Sequence, residues 1–156
     1  MSVQFEDYSI KVMEAMEGAI EEFLYKGSSV IQASVQRNQR ADTSDLRSKW
    51  DTIVDMSAKE ATIGNPEENA LWEEFGTGEH SSVGGRAGAW YVPVEKATGK
   101  KKPSFNGEVI VVYGKGGQAF YKTNGKDATH AFQKAYDAKK KTVQKLAEKY
   151  LKDKLK

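Results

Sequence analysis

The chain has 156 residues and 17.3 kDa, 38% of them apolar and 29% charged, with no cysteine and a formal net charge of +2. One domain with a sizeable core fits those figures, and the lack of cysteine excludes a disulfide framework, a thiolate nucleophile and any cysteine-based metal site. The small net charge hides a strong polarity: residues 1–80 carry 16 acidic against 7 basic side chains, a net of −9, while residues 81–156 carry 6 against 17, a net of +11. Such a chain either folds back and neutralises itself or offers unlike faces to neighbouring copies. Self-neutralisation with solvated helix faces is the simpler reading.

Met1 to Ser9 is acidic and lacks an apolar run, so no signal peptide is expected there. The longest strongly apolar run, Val109 to Tyr113, is far too short to span a bilayer, and a soluble, intracellular product without membrane contact is expected. Residues 6 to about 38 read as one helix, with Val12, Met13, Met16, Ile20, Phe23, Leu24, Val30, Ile31 and Val35 at three- and four-residue steps. At 1.5 Å per residue it measures roughly 45–50 Å, longer than a compact domain of this size needs. Either it kinks or one end projects toward a partner. Gly27 lies within the stripe, where another element can approach closely.

Thr43 or Ser44 ahead of Asp45 is good N-cap chemistry. Trp50 to Ala58 alternates as a strand does, and Lys59-Glu60 turns it back into Ala61 to Gly64 as a hairpin. Asn65-Pro66-Glu67-Glu68 is a helix start, with a cap, a proline at the first position and acids by the positive end. That helix ends near Phe75 at Gly76-Thr77-Gly78, and residues 79–89, broken by small residues and without periodicity, read as a mobile loop. Trp90 to Val94 is a strand whose proline puts it at an edge or end. Lys96 and Lys100-Lys101-Lys102 form a basic loop tip, Glu108 to Tyr113 and Ala119 to Lys122 are further strands, and Asp127 caps a last helix to about Lys154. The fold class expected is α+β. A long N-terminal helix and a C-terminal helix pack on a small antiparallel sheet, beside a short helix ending in Glu74-Phe75-Gly76-Thr77-Gly78. Residues 1–138 are read as the domain and 139–156 as a lysine-rich continuation of its last helix.

Catalytic and ligand chemistry finds little footing. Gly114-Lys115-Gly116-Gly117 lacks the Gly-Lys-Ser/Thr ending of a phosphate loop and reads as a turn. The Gly76/Gly78 pair ends a helix instead of opening one after a strand, so it is no dinucleotide fingerprint. His80 and His130 share no metal-ligand spacing, and neither is near a serine on a recognisable strained turn. Glu21-Glu22, Glu67-Glu68 and Glu73-Glu74 are adjacent along helices and read as solvated faces. The eight lysines from Lys139 to Lys156, without arginine forks, suit a solvated face; sequence-blind contact with phosphate or with an acidic neighbour are the other two readings. No catalytic residue, cofactor or metal is assigned, and a non-enzymatic protein is expected.

Two segments carry a family likeness. Ser44-Asp45-Leu46-Arg47-Ser48-Lys49-Trp50, followed by a hairpin, resembles the threonine-glycine-x-leucine-arginine-x-serine segment of a neck and tail-completion family of long-tailed bacteriophages. That family is typified by the gene-ten product of phage HK-ninety-seven. Asn69 to Gly78 resembles the family's tyrosine-alanine-x-x-x-glutamate-phenylalanine-glycine-threonine-glycine segment, with Glu74 to Gly78 matching in full. Ala131-Phe132-Gln133-Lys134-Ala135 looks like a proline-free version of its last-helix signature, and Asp45 stands where the family usually has glycine. The likeness spans about residues 5–138.

The resemblance implies a structural protein of the head–tail junction, located in the virion neck or head-proximal tail end and in host cytoplasm during assembly. It would form a homo-oligomeric ring, six- or twelve-fold, that meets head-closure or connector proteins on one side and the tail terminator or tail tube on the other. Non-specific contact with DNA in the channel is a further expectation. On this reading Trp72, Glu74, Phe75, Gly76, Gly78, Arg86, Trp90, Lys100, Lys101 and Lys102 contribute to interfaces. Trp72 and Phe75 would anchor the short helix or simply fill core, and segments 79–89 and 95–107 would be docking arms that order on assembly. A head-closure adaptor whose lysines line the DNA channel, and a free nucleic-acid-binding protein, are the alternatives.

Overall fold

The computed structural model describes residues 7–40, 44–97 and 110–154. Helix α1 (Ser9–Asn38) opens where the Asp7 carboxylate accepts the Ser9 N–H and closes at Gln39, whose N–H donates to the Val35 carbonyl. Its buried positions are Ala19, Gly27, Ser28, Ser34 and Val35, mostly small residues. That choice permits close approach by helix α5 (Ala131–Lys154), which runs antiparallel to it. Asn38 Nδ2 donates to the Ala131 carbonyl at one end, Gly27 faces Val143 midway, and Lys154 pairs with Glu22 at 2.9 Å at the other. The acidic first half of the chain therefore does meet the basic second half within one molecule. The lysine-rich segment, as far as Lys154, continues α5 from its third turn onward.

The core lies where the C-terminal end of α1 meets α5. Helix α2 (Ser44–Ser48) delivers Leu46 and Trp50 into it beside Val35, Ala70, Ala131 and Ala135, with Ile31, Ile63 and Phe132 packed around. The Trp50 ring stacks on Phe132 at 5.9 Å between centroids, and its indole N–H donates to Gln39 Oε1. Arg47 Nη2 donates to the Gln39 carbonyl at 2.7 Å and so closes the end of α1. The Leu-Arg-x-x-Trp stretch is a plug under that helix end, built from one apolar pair and one cap.

Strands β1 (Asp51–Asp55) and β2 (Glu60–Gly64) form the antiparallel hairpin, in register from Asp51↔Gly64 to Asp55↔Glu60. The expected strand over Trp50 to Ala58 is shorter because Trp50 is drawn into the core. Asp55 Oδ1 also collects the N–H groups of Ser57 and Ala58 and the Ser57 hydroxyl into a turn, which Lys59 completes at φ +57°. Helix α3 (Glu68–Phe75) starts two residues past Pro66; Asn65 Oδ1 takes the Glu67 N–H and Asn65 Nδ2 donates to the Leu46 carbonyl.

Past α3, strand β3 (Thr77–Gly78) precedes β4 (Trp90–Pro93), the one-turn helix α4 (Val94–Ala97), β5 (Ile110–Tyr113), β6 (Ala119–Thr123) and β7 (Gly125–Lys126). Among the described residues antiparallel pairing is split over three small sheets: β1–β2, β3–β7, and β4–β6–β5 with β6 central. Lys96 lies in α4 instead of a loop tip. Gly114 to Gly117 is the β5–β6 turn, with the Gly117 N–H on the Gly114 carbonyl and the Gly114 N–H on the Gln118 carbonyl. Asp127 does not cap the last helix, which opens four residues later at Ala131; Asp127 lies against His80, and the N–H groups of Thr129 and His130 are taken by the carbonyls of Glu73 and Glu74.

Trp50→Ala should lower stability by about 3–5 kcal/mol in urea titration, since it empties the largest buried site. Ile53→Ala, at a side chain that is 71% exposed on the same hairpin, should shift it by no more than about 0.5 kcal/mol.

Candidate assembly site at the helix junction

Helix α3 ends in four backbone carbonyls with no partner inside the helix, as every α-helix does. Here each finds a donor. The Gly76 N–H takes the Trp72 carbonyl, the Thr129 N–H and hydroxyl take Glu73, the His130 N–H takes Glu74, and the Ser82 N–H and hydroxyl take Phe75. The Glu74 side chain then turns to the start of α5. Its Oε2 accepts the Phe132 N–H at 2.8 Å and its Oε1 the Gln133 N–H at 3.0 Å. A carboxylate on the free N–H groups of a helix N-terminus is favoured by hydrogen bonding and by the helix dipole together. Glu73 is buried and pairs with Lys126. Glu73 and Glu74 are therefore not a solvated face; one is a buried ion-pair partner and the other a helix cap from a distant segment.

The glycines follow from that packing. Gly76 leaves the helix at φ +76° and Gly78 continues at φ +61°, both in the left-handed region. A Cβ on Gly78 would lie 2.1 Å from the Asn124 carbonyl oxygen and 2.6 Å from the Trp90 ring. Only bare backbone lets β3 pair with β7 at Gly78↔Gly125 while Trp90 closes over it. Glu74 to Gly78 is thus the clamp that holds α3, α5 and the β4–β6–β5 sheet at one place.

Trp72 and Phe75 do not fill the core. The buried face of α3 is Ala70 and Glu73, and Leu71, Trp72 and Phe75 point outward, Trp72 at 48% exposure. Arg86 lies over the Trp90 ring at 6.0 Å, exposed at the rim of the loop. Lys100, Lys101 and Lys102 lie outside the described residues. The site residues that the structure brings together are Glu74, Gly76, Gly78, Trp90 and Arg86, with Trp72 and Phe75 on the adjoining outer surface. Lys126, Thr129 and Ser82 belong to the same constellation. Nothing in their spacing marks them, because each acts across a long stretch of chain.

Segment 79–89 has no regular structure, and its base is tied down. The Glu79 N–H donates to the Asn124 carbonyl, Glu79 Oε2 accepts the Asn124 amide, Glu79 Oε1 accepts the Gly88 N–H, and His80 Nδ1 lies 2.8 Å from Asp127. The Gly88 N–H above all, and then the Asn124 amide, hold the Glu79 pKa below its ordinary value. Among the described residues no group of three or more His, Asp or Glu side chains is arranged to hold a metal ion, and no helix is long and apolar enough to cross a membrane.

Glu74→Ala should cost about 0.5–2 kcal/mol in chemical denaturation, the range for loss of a helix cap, and Glu74→Gln less, because it keeps one acceptor. Gly78→Ala should cost more than about 1 kcal/mol, because the backbone conformation and the contacts both exclude it. The Glu79 pKa is depressed in the folded state, so the tie it makes is present above the ordinary Glu value of about 4.3 and is lost as pH falls through the lower folded value. The Gly88 amide should keep its chemical shift and exchange protection from neutral pH downward until that point, then lose both; early loss would show that Glu79 does not hold the loop.

Comparison with protein-family models, with curated proteins and with solved structures found no match to this chain.

Proposed function

We propose that this chain is a non-enzymatic, self-assembling structural subunit of a phage or phage-tail-like particle, forming a ring at the head–tail junction between connector and tail. One observation carries the self-assembly part. Among the described residues the buried apolar ones are Val35, Leu46, Trp50, Tyr121 and four alanines, while Tyr8, Ile10, Met13, Leu71, Trp72 and Tyr113 are all exposed. A domain that leaves such residues in water together with a thin core gains by burying them against neighbours. The long helix supports the same reading. Beyond its pairing with α5, which reaches Glu22, none of residues 8–18 is buried. The head–tail part rests on the likeness of Ser44 to Trp50 and Asn69 to Gly78 to the neck and tail-completion family. The structure supplies a physical reason for both segments: the first plugs the end of α1 and the second clamps α3 to α5.

A second reading, non-specific DNA contact, draws on one further observation. Lys141, Lys145, Lys149 and Lys152 recur at four-, four- and three-residue steps and are all exposed along α5. Such a stripe contacts phosphate through charge alone, so any binding should collapse with salt.

Light scattering behind size exclusion, with electron microscopy of the purified chain, should show a discrete closed oligomer forming as concentration rises. A monomer at every concentration up to about 100 times the micromolar range typical of weak assembly would sink the self-assembly reading. Antibody labelling of the particle should mark the neck; label confined to shell or baseplate would remove the head–tail assignment. Tight, salt-sensitive DNA binding by the monomer would favour the second reading.

A further inference from the structure

Two exposed apolar surfaces lie far apart and differ in charge. The first is the projecting start of α1, where Tyr8, Val12, Met13 and Met16 continue the apolar stripe past the point α5 covers. Met13 is 62% exposed, and Asp7, Glu14 and Glu17 outnumber Lys11 around it. The second is the outer face of the β4–β6–β5 sheet. Register puts Tyr91, Lys122 and Ile110 in one row across its three strands, and all three are exposed. Lys122 and Lys115 make this surface basic, and among the described residues of β5, β6 and their turn there is no acid.

Their placement follows from the fold. The sheet is tied through Trp90 and Gly78 to β7, which leads into Ala131 at the C-terminal end of α1. Its strands of four or five residues reach about 15 Å, whereas α1, with 30 residues, spans about 45 Å. One acidic apolar surface and one basic apolar surface therefore stand at opposite ends of the subunit. Neither fits a copy of itself, because like charges would meet. Each fits the other, and an unlike pair of surfaces on one chain is the requirement for heterologous assembly.

We propose that copies join head to tail, with the projecting first turns of α1 from one copy seated on the outer face of the β4–β6–β5 sheet of the next. The inference rests on the self-assembly reading above and names its interface. Burial of Met13 and Met16 against Ile110 and Tyr91 supplies the affinity, and Glu14 and Glu17 beside Lys122 and Lys115 set the direction. The ring closes if each step rotates by a simple fraction of a turn; otherwise the same contact yields a filament.

Two variants test it, each altering one surface at exposed positions: Met13→Glu with Met16→Glu on the helix, and Ile110→Glu on the sheet. Both should keep the wild-type circular dichroism and melting curve, and each alone should need at least tenfold higher concentration to assemble. Mixed in equal amounts they should give a one-to-one dimer and nothing larger, because the mixture holds one intact helix surface and one intact sheet surface. The absence of native cysteine allows a second measurement: Met13→Cys and Ile110→Cys chains, mixed and treated with a short bis-maleimide, should link to each other and neither to itself. Wild-type assembly with both variants unaffected, or Met13→Cys linking to its own kind, overturns this interface and leaves the self-assembly reading standing. A wild-type chain that never assembles overturns that reading as well.

Discussion

The structure depends on the meeting of two helix ends, the C-terminus of α3 and the N-terminus of α5. A helix N-terminus needs acceptors for its first N–H groups. The residues just before α5 do not supply them from their side chains: His130, at φ +51°, precedes Ala131, and Asp127 is engaged with His80. The acceptor comes instead from Glu74, 58 residues earlier in the chain. The exchange is mutual, because Thr129 and His130 return their N–H groups to the last carbonyls of α3. Either helix end alone would leave polar groups buried or wet; together they satisfy each other and fix the angle between α3 and α5. Since α5 lies along α1 and β7 runs into α5, the same exchange positions the sheet relative to the long helix.

Charge and size then divide the remaining work. Alanine, glycine and serine on the inner face of α1 let α5 approach closely, which shortens the distance over which the acidic and basic halves of the chain attract. Close packing of small side chains yields much van der Waals contact and little buried apolar area per residue. Trp50 and Phe132 stack at one end, and Phe23 and Val143 meet beside Gly27 midway. Before Ala19 no described residue of α1 is buried, and the start of the helix carries its apolar stripe into solvent.

How much of this is legible in the sequence differs by element. The long helices, the hairpin and the three later strands show in local periodicity and turn chemistry, because those signals act over a few residues. Glu73 and Glu74 illustrate the limit. Two adjacent glutamates in a helix give the pattern of a solvated face, and only the positions of Lys126 and of the Phe132 N–H, both set by tertiary folding, give them other roles. Asp127 misleads for the same reason: an aspartate before an apolar stretch has cap chemistry, but the His80 pairing and the hydrogen bonds of Thr129 and His130 to α3 claim that part of the chain first. Trp72 and Phe75 were open to a core reading because large aromatic residues usually pack inside; in α3 the inward positions fall instead to Ala70 and Glu73, which leaves both aromatics on the surface. The likeness of Glu74 to Gly78 to a known motif says nothing of why those residues stand there; their packing between α3, α5 and β7 does.

An exposed apolar sheet face carries a risk that bears on how any assembly must occur. Among the described strands β5 lies at the sheet edge with Ile110, Val111 and Tyr113 exposed, and an apolar edge of that kind pairs readily with its own copy. Lys122 stands in the middle of the exposed row, between Tyr91 and Ile110, so two such faces brought together would oppose two buried lysines. A desolvated like-charge pair disfavours that contact, whereas an acidic apolar helix relieves it. The lysine thus separates the two outcomes open to this surface. It penalises face-to-face stacking of two copies and favours a partner that brings carboxylates, as the start of α1 would under the head-to-tail proposal.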